Sequence, residues 1–375
     1  MSEPGRHRRS GSRTSRIWPV IAAVVLAAVA LRLFIPIAAD TVAAALGPHG
    51  AASDPAIVAT SSRPTGSVDP STPPTAQDVP STSPPSAPER RALVIHGTGD
   101  VNVDPSYIPN FRTFGYGYAW SGLEGLFRED DLTVVNLEYA VSNLGSAVPK
   151  EFNFRGDPAA LPAMHEAGVE VANMGNNHSY DFGPDALLDT RKNLLRHDIA
   201  PVGAGKDPAE AVAPALFEIN GWRVAVVGFD KVVDPYPEAI AAPGHPGTAA
   251  GHDLDAMQDA VEAAASQADL VVVAIHWGVE LDTQPRADDV DLAHRLVDAG
   301  ADAIFGGHSH RLQPMERYRG RPIFYSLGNF VWPNFSVAGS TTAVAEVKVS
   351  ATGTVTGRLI PAYIESAGHP VLRGS

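Results

Sequence analysis

The stretch LVVVAIHWGVE, residues 270–280, decides the fold class that this sequence predicts. Its first six residues are all apolar, without the alternation of apolar and polar side chains that marks a half-buried strand. Such a run is typical of a strand buried on both faces of a sheet. Runs of the same kind are ALVIHGTGD (92–100), LTVVNLE (132–138), VEVANMGNN (169–177), RVAVVGFD (223–230) and ADAIFGGHSH (301–310).

Helical patterns lie between several of these runs, and the alternation of strand and helix favours an α/β fold. The patterns are PAALPAMHEAG (158–168), PDALLDTRKNLLRHD (184–198), DLDAMQDAVEAAASQA (253–268) and ADDVDLAHRLVDAG (287–300). Asn220-Gly221 and Arg319-Gly320 are typical of hairpin turns, and residues 341–365 of a closing antiparallel pair. We therefore predict two packed sheets flanked by helices, in one domain spanning residues 91–375.

The first 90 residues differ in composition from the rest of the chain. Residues 1–16 are rich in arginine, and residues 17–39 carry only the charge of Arg32, a length that suits a bilayer span. These features predict a cytoplasmic tail, a single-pass signal anchor in the cell membrane and an extracytoplasmic C-terminal domain. A cleaved signal peptide is the alternative, because VAAAL (42–46) offers small residues for cleavage. Residues 40–90, rich in Pro, Ser and Thr, predict a disordered linker.

Composition excludes several classes of function. The chain has no cysteine, which rules out thiolate metal sites, disulfides and cysteine nucleophiles. Its formal net charge is −14, although six arginines lie within the first 40 residues. An acidic body of this kind lacks the clustered basic residues that sequence-independent nucleic-acid binding requires, so we expect no nucleic-acid partner. Acidity of this degree is compatible with binding divalent cations.

Polar residues are concentrated where the apolar runs end. In open α/β sheets, the loops at the carboxyl ends of the strands build the ligand site. The residues found there are Asp100, Asn102, Asn136, Glu138, Asn176, Asn177, His178, Asp181, His276, Glu280, His308 and His310. Imidazole together with carboxylate and amide oxygen suits Zn²⁺, Mn²⁺ or Fe better than Ca²⁺. The sequence therefore predicts a site for a divalent metal, with a dinuclear hydrolytic centre as the chemistry that this inventory supports.

Each fragment of this inventory also has a structural explanation. His276 alone could be a buried core histidine, GNNH (175–178) an Asx-rich turn, and the carboxylate of NLE (136–138) a helix cap. GHSH (307–310) is the most specific fragment, and residues two apart in an extended chain point to the same side, which would aim His308 and His310 at one point. The other histidines considered, His96, His165, His197, His245, His252 and His294, are expected to be surface or helix residues.

The order GD, NLE, GNNHSYDFG, HWGVE, GGHSHRLQPME, YSLGNF, between about Leu93 and Phe330, resembles the CapA, or poly-γ-glutamate capsule synthesis, family. That family belongs to the calcineurin-like metallophosphoesterase superfamily. The resemblance implies a metallophosphoesterase-like sandwich and a role in synthesis or export of an anionic polymer such as poly-γ-glutamate. It also implies partners in a membrane-bound polymer synthetase complex.

The resemblance also implies roles for individual residues. Six would bind two metal ions, with Glu138 between them, and His178 would act on the substrate. The six are Asp100, Glu138, Asn177, His276, His308 and His310. The sequence departs from the superfamily pattern at Asn102, where histidine is usual, and an amide oxygen is a weaker ligand for a transition metal than imidazole. Two alternatives therefore stay open: a metal-dependent phosphoesterase or other hydrolase acting on an envelope substrate, and a non-catalytic surface scaffold with a vestigial site.

Overall fold

The computed structural model describes residues 89–232, 236–249 and 253–374. The predicted cytoplasmic tail, the signal anchor and all but the last two residues of the predicted linker lie outside these ranges. Within them, no helix has both the length and the apolar character that a membrane crossing requires.

Most strands of the described residues belong to two large mixed sheets. In chain order the strands are β1 (Leu93–Val101), β2 (Leu132–Leu137), β3 (Ala140–Val141), β4 (Arg155–Gly156), β5 (Val171–Asn173), β6 (Ala200–Val202), β7 (Ala204–Gly205), β8 (Ala215–Ile219), β9 (Trp222–Asp230), β10 (Gly247–Thr248), β11 (Leu270–His276), β12 (Ala303–Gly307), β13 (Met315–Tyr318), β14 (Arg321–Phe324), β15 (Asn329–Val331), β16 (Thr341–Val349), β17 (Val355–Ser366) and β18 (His369–Leu372). The first sheet has the order β18-β17-β16-β1-β2-β5-β6, with β15 paired to the end of β1. The second has the order β13-β14-β12-β11-β9-β8.

The first sheet is antiparallel along one margin, from β18 to β1, and the second has a parallel centre with an antiparallel strand at each margin. Strands β1, β2, β5 and β6 run parallel in the first sheet, and β9, β11, β12 and β14 do so in the second. The predicted hairpins are confirmed, since β8 pairs with β9 and β13 with β14 in antiparallel fashion. Asn220 and Gly221 both have positive φ, as the tight turn between β8 and β9 requires. The closing antiparallel pair is also present, as β16 and β17.

Four of the described α-helices correspond to the predicted patterns, and three short ones were not predicted. The α-helices are α1 (Asn110–Phe114), α2 (Leu161–Glu166), α3 (Gly183–Arg196), α4 (Pro208–Ala211), α5 (Leu254–Ala265), α6 (Ala287–Asp298) and α7 (Val337–Ser340). The predicted ones are α2, α3, α5 and α6, and the short ones are α1, α4 and α7. Short 3₁₀ segments span Tyr116–Ala119, Ser121–Leu123, Leu126–Arg128, Pro158–Ala160 and Pro237–Ala239. Helix α5 begins at a capping aspartate, Asp253, whose carboxylate accepts a hydrogen bond from Ala256 N.

The hydrophobic core has three layers, which confirms the predicted mixed α/β architecture of two sheets flanked by helices. One cluster lies between the sheets and includes Ile95 and Val134 from the first sheet and Val226 and Val272 from the second. A second cluster joins the outer face of the second sheet to α5 and α6, and a third joins the first sheet to α2 and α3. Central strands are therefore buried on both faces, which explains their uninterrupted apolar sequences.

Candidate metal centre

The carboxyl ends of five parallel strands, three from one sheet and two from the other, meet at one edge of the molecule. Strands β1, β2 and β5 carry acid and amide groups to this edge, and β11 and β12 carry histidines. The predicted ligands brought together there are Asp100, Glu138, Asn177, His276, His308 and His310. The structure thus assembles every residue of the predicted ligand set, although the set spans more than 200 positions of the chain.

Glu138 occupies the middle of the cluster. Its side chain is fully buried, and neither carboxylate oxygen receives a hydrogen bond. Three imidazole nitrogens surround Oε1, at 3.5 Å for His276 Nε2, 3.9 Å for His310 Nε2 and 4.0 Å for His178 Nε2. Burial, together with the nearby charge of Asp100, raises the pKa of Glu138 well above its usual value. A buried carboxylate without donors is costly unless a cation compensates it, so Glu138 fits a metal ligand.

Two groups of three residues around Glu138 have the spacing of metal-ligand sets. Glu138, His276 and His308 form one, and Asp100, Glu138 and His310 form the other; in each group the candidate ligand atoms lie within 4.8 Å of one another. The groups share Glu138, so its carboxylate is placed to contact an ion in either position. Carboxylate and imidazole are ligands that divalent Zn, Mn and Fe accept.

The pKa values of the histidines in the two groups shift in opposite directions. Burial, and then the proximity of His308, lowers the pKa of His276 well below its usual value, and burial lowers that of His308 to about 3. Both rings are therefore neutral, as metal binding requires. Burial alone would lower the pKa of His310 as well. The carboxylate of Asp100, whose Oδ2 lies 3.0 Å from His310 Nδ1, raises it instead.

Neighbouring amides support the cluster. Asn136 Nδ2 donates a hydrogen bond to Asp100 Oδ1 and lies 3.0 Å from His276 Nδ1. Asn177 Oδ1 lies 2.9 Å from His276 Nε2, so this predicted ligand is beside the first group. Asn329 Oδ1 lies 2.8 Å from His310 Nδ1 and orients that ring.

The backbone around His308 and His310 differs from the extended conformation expected from the sequence. Strand β12 ends at Gly307, and the two histidines have φ of 86° and 53°, in the left-handed region that non-glycine residues rarely adopt. The expectation of strand-like alternation is wrong here, and a tight turn delivers both rings to the cluster. Gly307 permits the close approach, because a Cβ there would lie 2.6 Å from Asp100 Oδ1. Backbone strain of this kind concentrates at functional sites.

His178, the predicted catalytic residue, lies at the mouth of the cluster. Its Nδ1 is 2.7 Å from Asp181 Oδ2, which leaves Nε2 directed toward Glu138. Asp181 is fully buried and also accepts hydrogen bonds from Phe154 N at 2.7 Å and Lys150 Nζ at 2.9 Å. Lys150 Nζ donates a second hydrogen bond to the carbonyl of Asn177. This network fixes the imidazole and the backbone that carries Asn177.

Asn102, where the sequence departs from the pattern that the resemblance implies, is buried. Its Oδ1 accepts a hydrogen bond from Asp104 N at 2.8 Å, and its Nδ2 is without an acceptor. The amide oxygen that could have bound a metal is thus engaged with the backbone.

Sequence reasoning missed some members of the site and misplaced one histidine. Asn329 lies in YSLGNF, which contributed to the resemblance without an assigned role, and Lys150 had no recognisable signal at all. His96 was expected on the surface or in a helix. That expectation is wrong, since His96 is buried in β1 with Nδ1 2.6 Å from Asp130 Oδ2. An acidic neighbour 34 positions away in sequence could not be inferred from the residues around His96.

Comparison with known proteins identifies the family of the chain that carries this site. Residues 94–334, which contain every residue of the candidate cluster, match the model of the bacterial capsule synthesis protein family PGA_cap. The chain belongs to the PGA_cap family. The resemblance to CapA proteins inferred from the motifs is thereby confirmed, and the chain is a CapA-like member of a capsule biosynthesis family.

Two curated relatives are similar to this PGA_cap chain over most of its length. The capsule biosynthesis protein CapA of Bacillus anthracis is 31% identical over 290 residues, covering 75% of this chain and 70% of that protein. The PGA biosynthesis protein CapA of Bacillus subtilis (strain 168) is 31% identical over 258 residues, covering 68% and 67%. Among solved structures, the NAD nucleotidase NadN of Haemophilus influenzae is similar with a TM-score of 0.48 and 15% identity, over 73% of this chain and 50% of that one.

Proposed function

We propose that this protein is a metal-dependent factor in the synthesis or export of an anionic capsule polymer such as poly-γ-glutamate. Membership of the PGA_cap family and similarity to the CapA proteins of two Bacillus species support the biological process. The metal dependence is supported by the residues at the strand ends. In this proposal the fold is metallophosphoesterase-like, and residues 91–375 lie outside the cell membrane behind a signal anchor at residues 17–39.

The observation that carries the metal dependence is Glu138, buried without a hydrogen-bond donor and shared by two groups with ligand spacing. Folding a charged carboxylate into such a place is unfavourable unless cations are present. We therefore infer two divalent ions, of Mn, Zn or Fe. Asp100, Glu138 and His310 would hold one, and Glu138, His276, His308 and Asn177 the other. Such a pair supplies Lewis acidity and lowers the pKa of water.

The remaining residues of the site support a second candidate function, hydrolysis of a phosphoester or related bond in an envelope substrate. His178 presents Nε2 to the cluster while Asp181 holds Nδ1, an arrangement in which the imidazole can deliver a proton to a leaving group. Asp181 is itself fixed by Phe154 and Lys150, so the ring is held in place before substrate binds. A scaffold with a vestigial site would have no need of this proton path.

Elemental analysis of the full chain, purified from membranes in detergent, tests the metal dependence. Wild type should contain metal, and His308→Ala should contain less while keeping its fold, because the substitution removes one ligand at the edge of the cluster. His369→Ala is the matched control, since His369 contacts Tyr118 and Ser121 and is no part of the site. Equal metal in wild type and His308→Ala, or none in either, would favour the scaffold alternative.

Two further measurements separate the other possibilities. Turnover of a chromogenic phosphodiester by wild type, lost in His178→Ala with metal content unchanged, would favour the hydrolase over the polymer factor. The intact mass of the chain from membranes tests the anchor. A mature protein that begins near residues 43–46 would show a cleaved signal peptide instead.

A further inference from the structure

A pocket of about 220 Å³ opens directly beside the candidate metal centre. His178 and His310 form part of its floor, and most of its wall is aromatic or aliphatic. The apolar lining residues are Tyr107, Phe152, Phe154, Leu281, Trp332, Pro333 and Phe335. Three of these are unusually exposed for apolar side chains: Phe335 at 77%, Leu281 at 60% and Phe152 at 56%. An exposed apolar patch of this kind at the entrance to a polar site marks a place where an apolar group binds.

The aromatic residues form a continuous path from solvent to the site. The Phe335 ring lies 6.1 Å from Tyr107, which in turn contacts Phe154 at 4.8 Å and Trp332 at 5.9 Å. At the inner end Phe154 packs on His178, with ring centroids 4.4 Å apart, and Trp332 packs on His310 at 4.9 Å. A ligand in contact with the metal centre would therefore extend outward along an aromatic wall.

Several polar groups of the pocket are engaged with the protein. Asn329 pairs with His310 and donates its other hydrogen bond to Gly339 O. Ser336 Oγ accepts from Gly339 N, and the guanidinium of Arg311 donates to His310 O. A bare polyanion or a sugar would need a row of donors along its length, whereas the lining offers one arginine, Arg311, among mainly aromatic and aliphatic side chains.

The charges of the lining residues also argue against a polyanionic ligand. Arg311 and Glu280 are the lining residues with opposite full charges, so the wall has no net positive character. The chain as a whole is acidic, with a formal net charge of −14. Because Glu280 offsets Arg311, the candidate cations would be the main attraction for an anion here, so a favourable ligand concentrates its negative charge at one end.

We propose that this pocket binds an amphiphile, a single anionic headgroup joined to a hydrocarbon or aromatic portion. The headgroup lies at the metal centre and the apolar portion along the wall from Trp332 and Phe154 out to Phe335 and Phe152. The inference rests on the proposed function, since it requires the metal ions. It adds that the group acted upon is carried on an apolar molecule, rather than reached along a bare polyanionic chain.

Binding of n-alkylphosphonates to the metal-loaded full chain tests the proposal, because their phosphorus–carbon bond cannot be hydrolysed like an ester. Calorimetric titration with propyl-, pentyl- and heptylphosphonate measures how affinity depends on chain length. Full burial of a methylene strengthens binding roughly fourfold. Because the pocket is partly open, we expect at least about a tenfold gain from propyl to heptyl, with a negative heat-capacity change. Alkanoates of equal length form a second arm, which identifies the preferred headgroup.

The variant Phe152→Ala/Phe335→Ala should reduce that gain to less than about threefold, with metal content unchanged. Both side chains are more than half exposed, so their loss leaves the core intact. Phe114→Ala is the matched control, because Phe114 is 60% exposed but does not line the pocket, and it should retain the full gain.

The possible failures are distinguishable. Metal-loaded wild type that binds the series without length dependence, or binds none of it, overturns the inference and leaves the metal centre standing. So does a length dependence that survives in the double variant, or a γ-linked glutamate oligomer that binds more tightly than heptylphosphonate. A chain that holds no metal overturns the proposed function and this inference together.

Discussion

Replacement of Glu138 by glutamine should stabilise the metal-free protein and weaken its hold on metal. The wild-type carboxylate is fully buried, has no hydrogen-bond donor and lies near Asp100, which raises its pKa well above the usual value. Glu138→Gln keeps the size of the side chain and removes the charge. Its new amide group can donate to imidazole nitrogens nearby, of which His276 Nε2 is 3.5 Å from the present carboxylate.

The size of the effect follows from the cost of a buried charge. An uncompensated buried charge typically destabilises a protein by about 3–5 kcal/mol. His310, held close to Asp100 with its pKa raised, compensates part of that cost in the metal-free protein. We therefore expect a gain of about 1–3 kcal/mol for Glu138→Gln in chelator at pH 8. For a domain of this size the melting temperature would rise by roughly 2–8 °C.

The pH dependence of stability is a second, independent test of whether Glu138→Gln stabilises the metal-free protein. A carboxyl group whose pKa is higher in the folded than in the unfolded protein favours the folded state fully only below its unfolded pKa. Wild type should therefore lose stability in chelator as the pH rises from about 4.5 toward the folded pKa of Glu138. Glu138→Gln lacks that loss, so the difference between the two proteins should grow with pH.

Thermal unfolding of both proteins, in chelator and in excess metal, is the assay. Metal at 100 times its dissociation constant stabilises a binding protein by about 2.7 kcal/mol, so wild type should become at least as stable as the variant when metal is added. If Glu138→Gln is less stable than wild type in chelator at pH 8, the charge of Glu138 does not destabilise the metal-free protein, and the argument that bound cations compensate it is refuted. Equal responses of the two proteins to metal would refute its role as a ligand.

Three further outcomes are expected. Acidification below neutral pH should release one metal ion before the other. The reason is that His310, whose pKa is raised, gains a proton while His308 stays neutral to about pH 3. Native mass spectrometry across pH 8 to 5 would show the loss of one ion as a separate step. Asn102→His should retain more metal than wild type and lose about 1 kcal/mol of stability with the hydrogen bond to Asp104, and Asp100→Ala in the same background should abolish the gain. Asp181→Asn should lower any hydrolytic turnover while metal content stays constant, and should cost about 1–3 kcal/mol in chemical denaturation because the hydrogen bonds to the buried carboxylate of Asp181 weaken.

The architecture could be read from the sequence because local and global signals agree. The uninterrupted run from Leu270 to Ile275 is apolar because β11 has a helix layer on one side and the other sheet on its second side. Asn220-Gly221 specifies its turn because both residues have positive φ there. At positions of this kind, the residue type follows from the local burial or backbone conformation. The predicted helices and hairpins are accordingly found at the residues that the patterns indicate.

The residues of the site could also be predicted from the sequence, because the carboxyl ends of parallel strands lie at one edge of a sheet. What the sequence did not contain is how the second sheet sits against the first. That packing brings His276 Nε2 to 3.5 Å from Glu138 and makes one carboxylate common to two groups of ligands. Lys150 was invisible for the same reason, since its contact with Asp181 joins segments 31 residues apart through a loop.

Asn102 shows most clearly where reasoning from alternation stops. Two residues after Asp100, it was expected to leave the strand on the same side and to act as a weak ligand. Strand β1, however, is irregular at this point: its register shifts between Gly97 and Asp100 against β2, and between Asp100 and Val101 against β15. Simple alternation is therefore no guide to the direction of the side chain at position 102. The strand ends at Val101, and Asn102 gives its amide oxygen to Asp104 N instead. The departure from the superfamily pattern is therefore more than the exchange of a strong ligand for a weak one. In the proposed centre of two ions, the ion at Asp100, Glu138 and His310 would have three protein ligands, whereas the other would have Asn177 as a fourth.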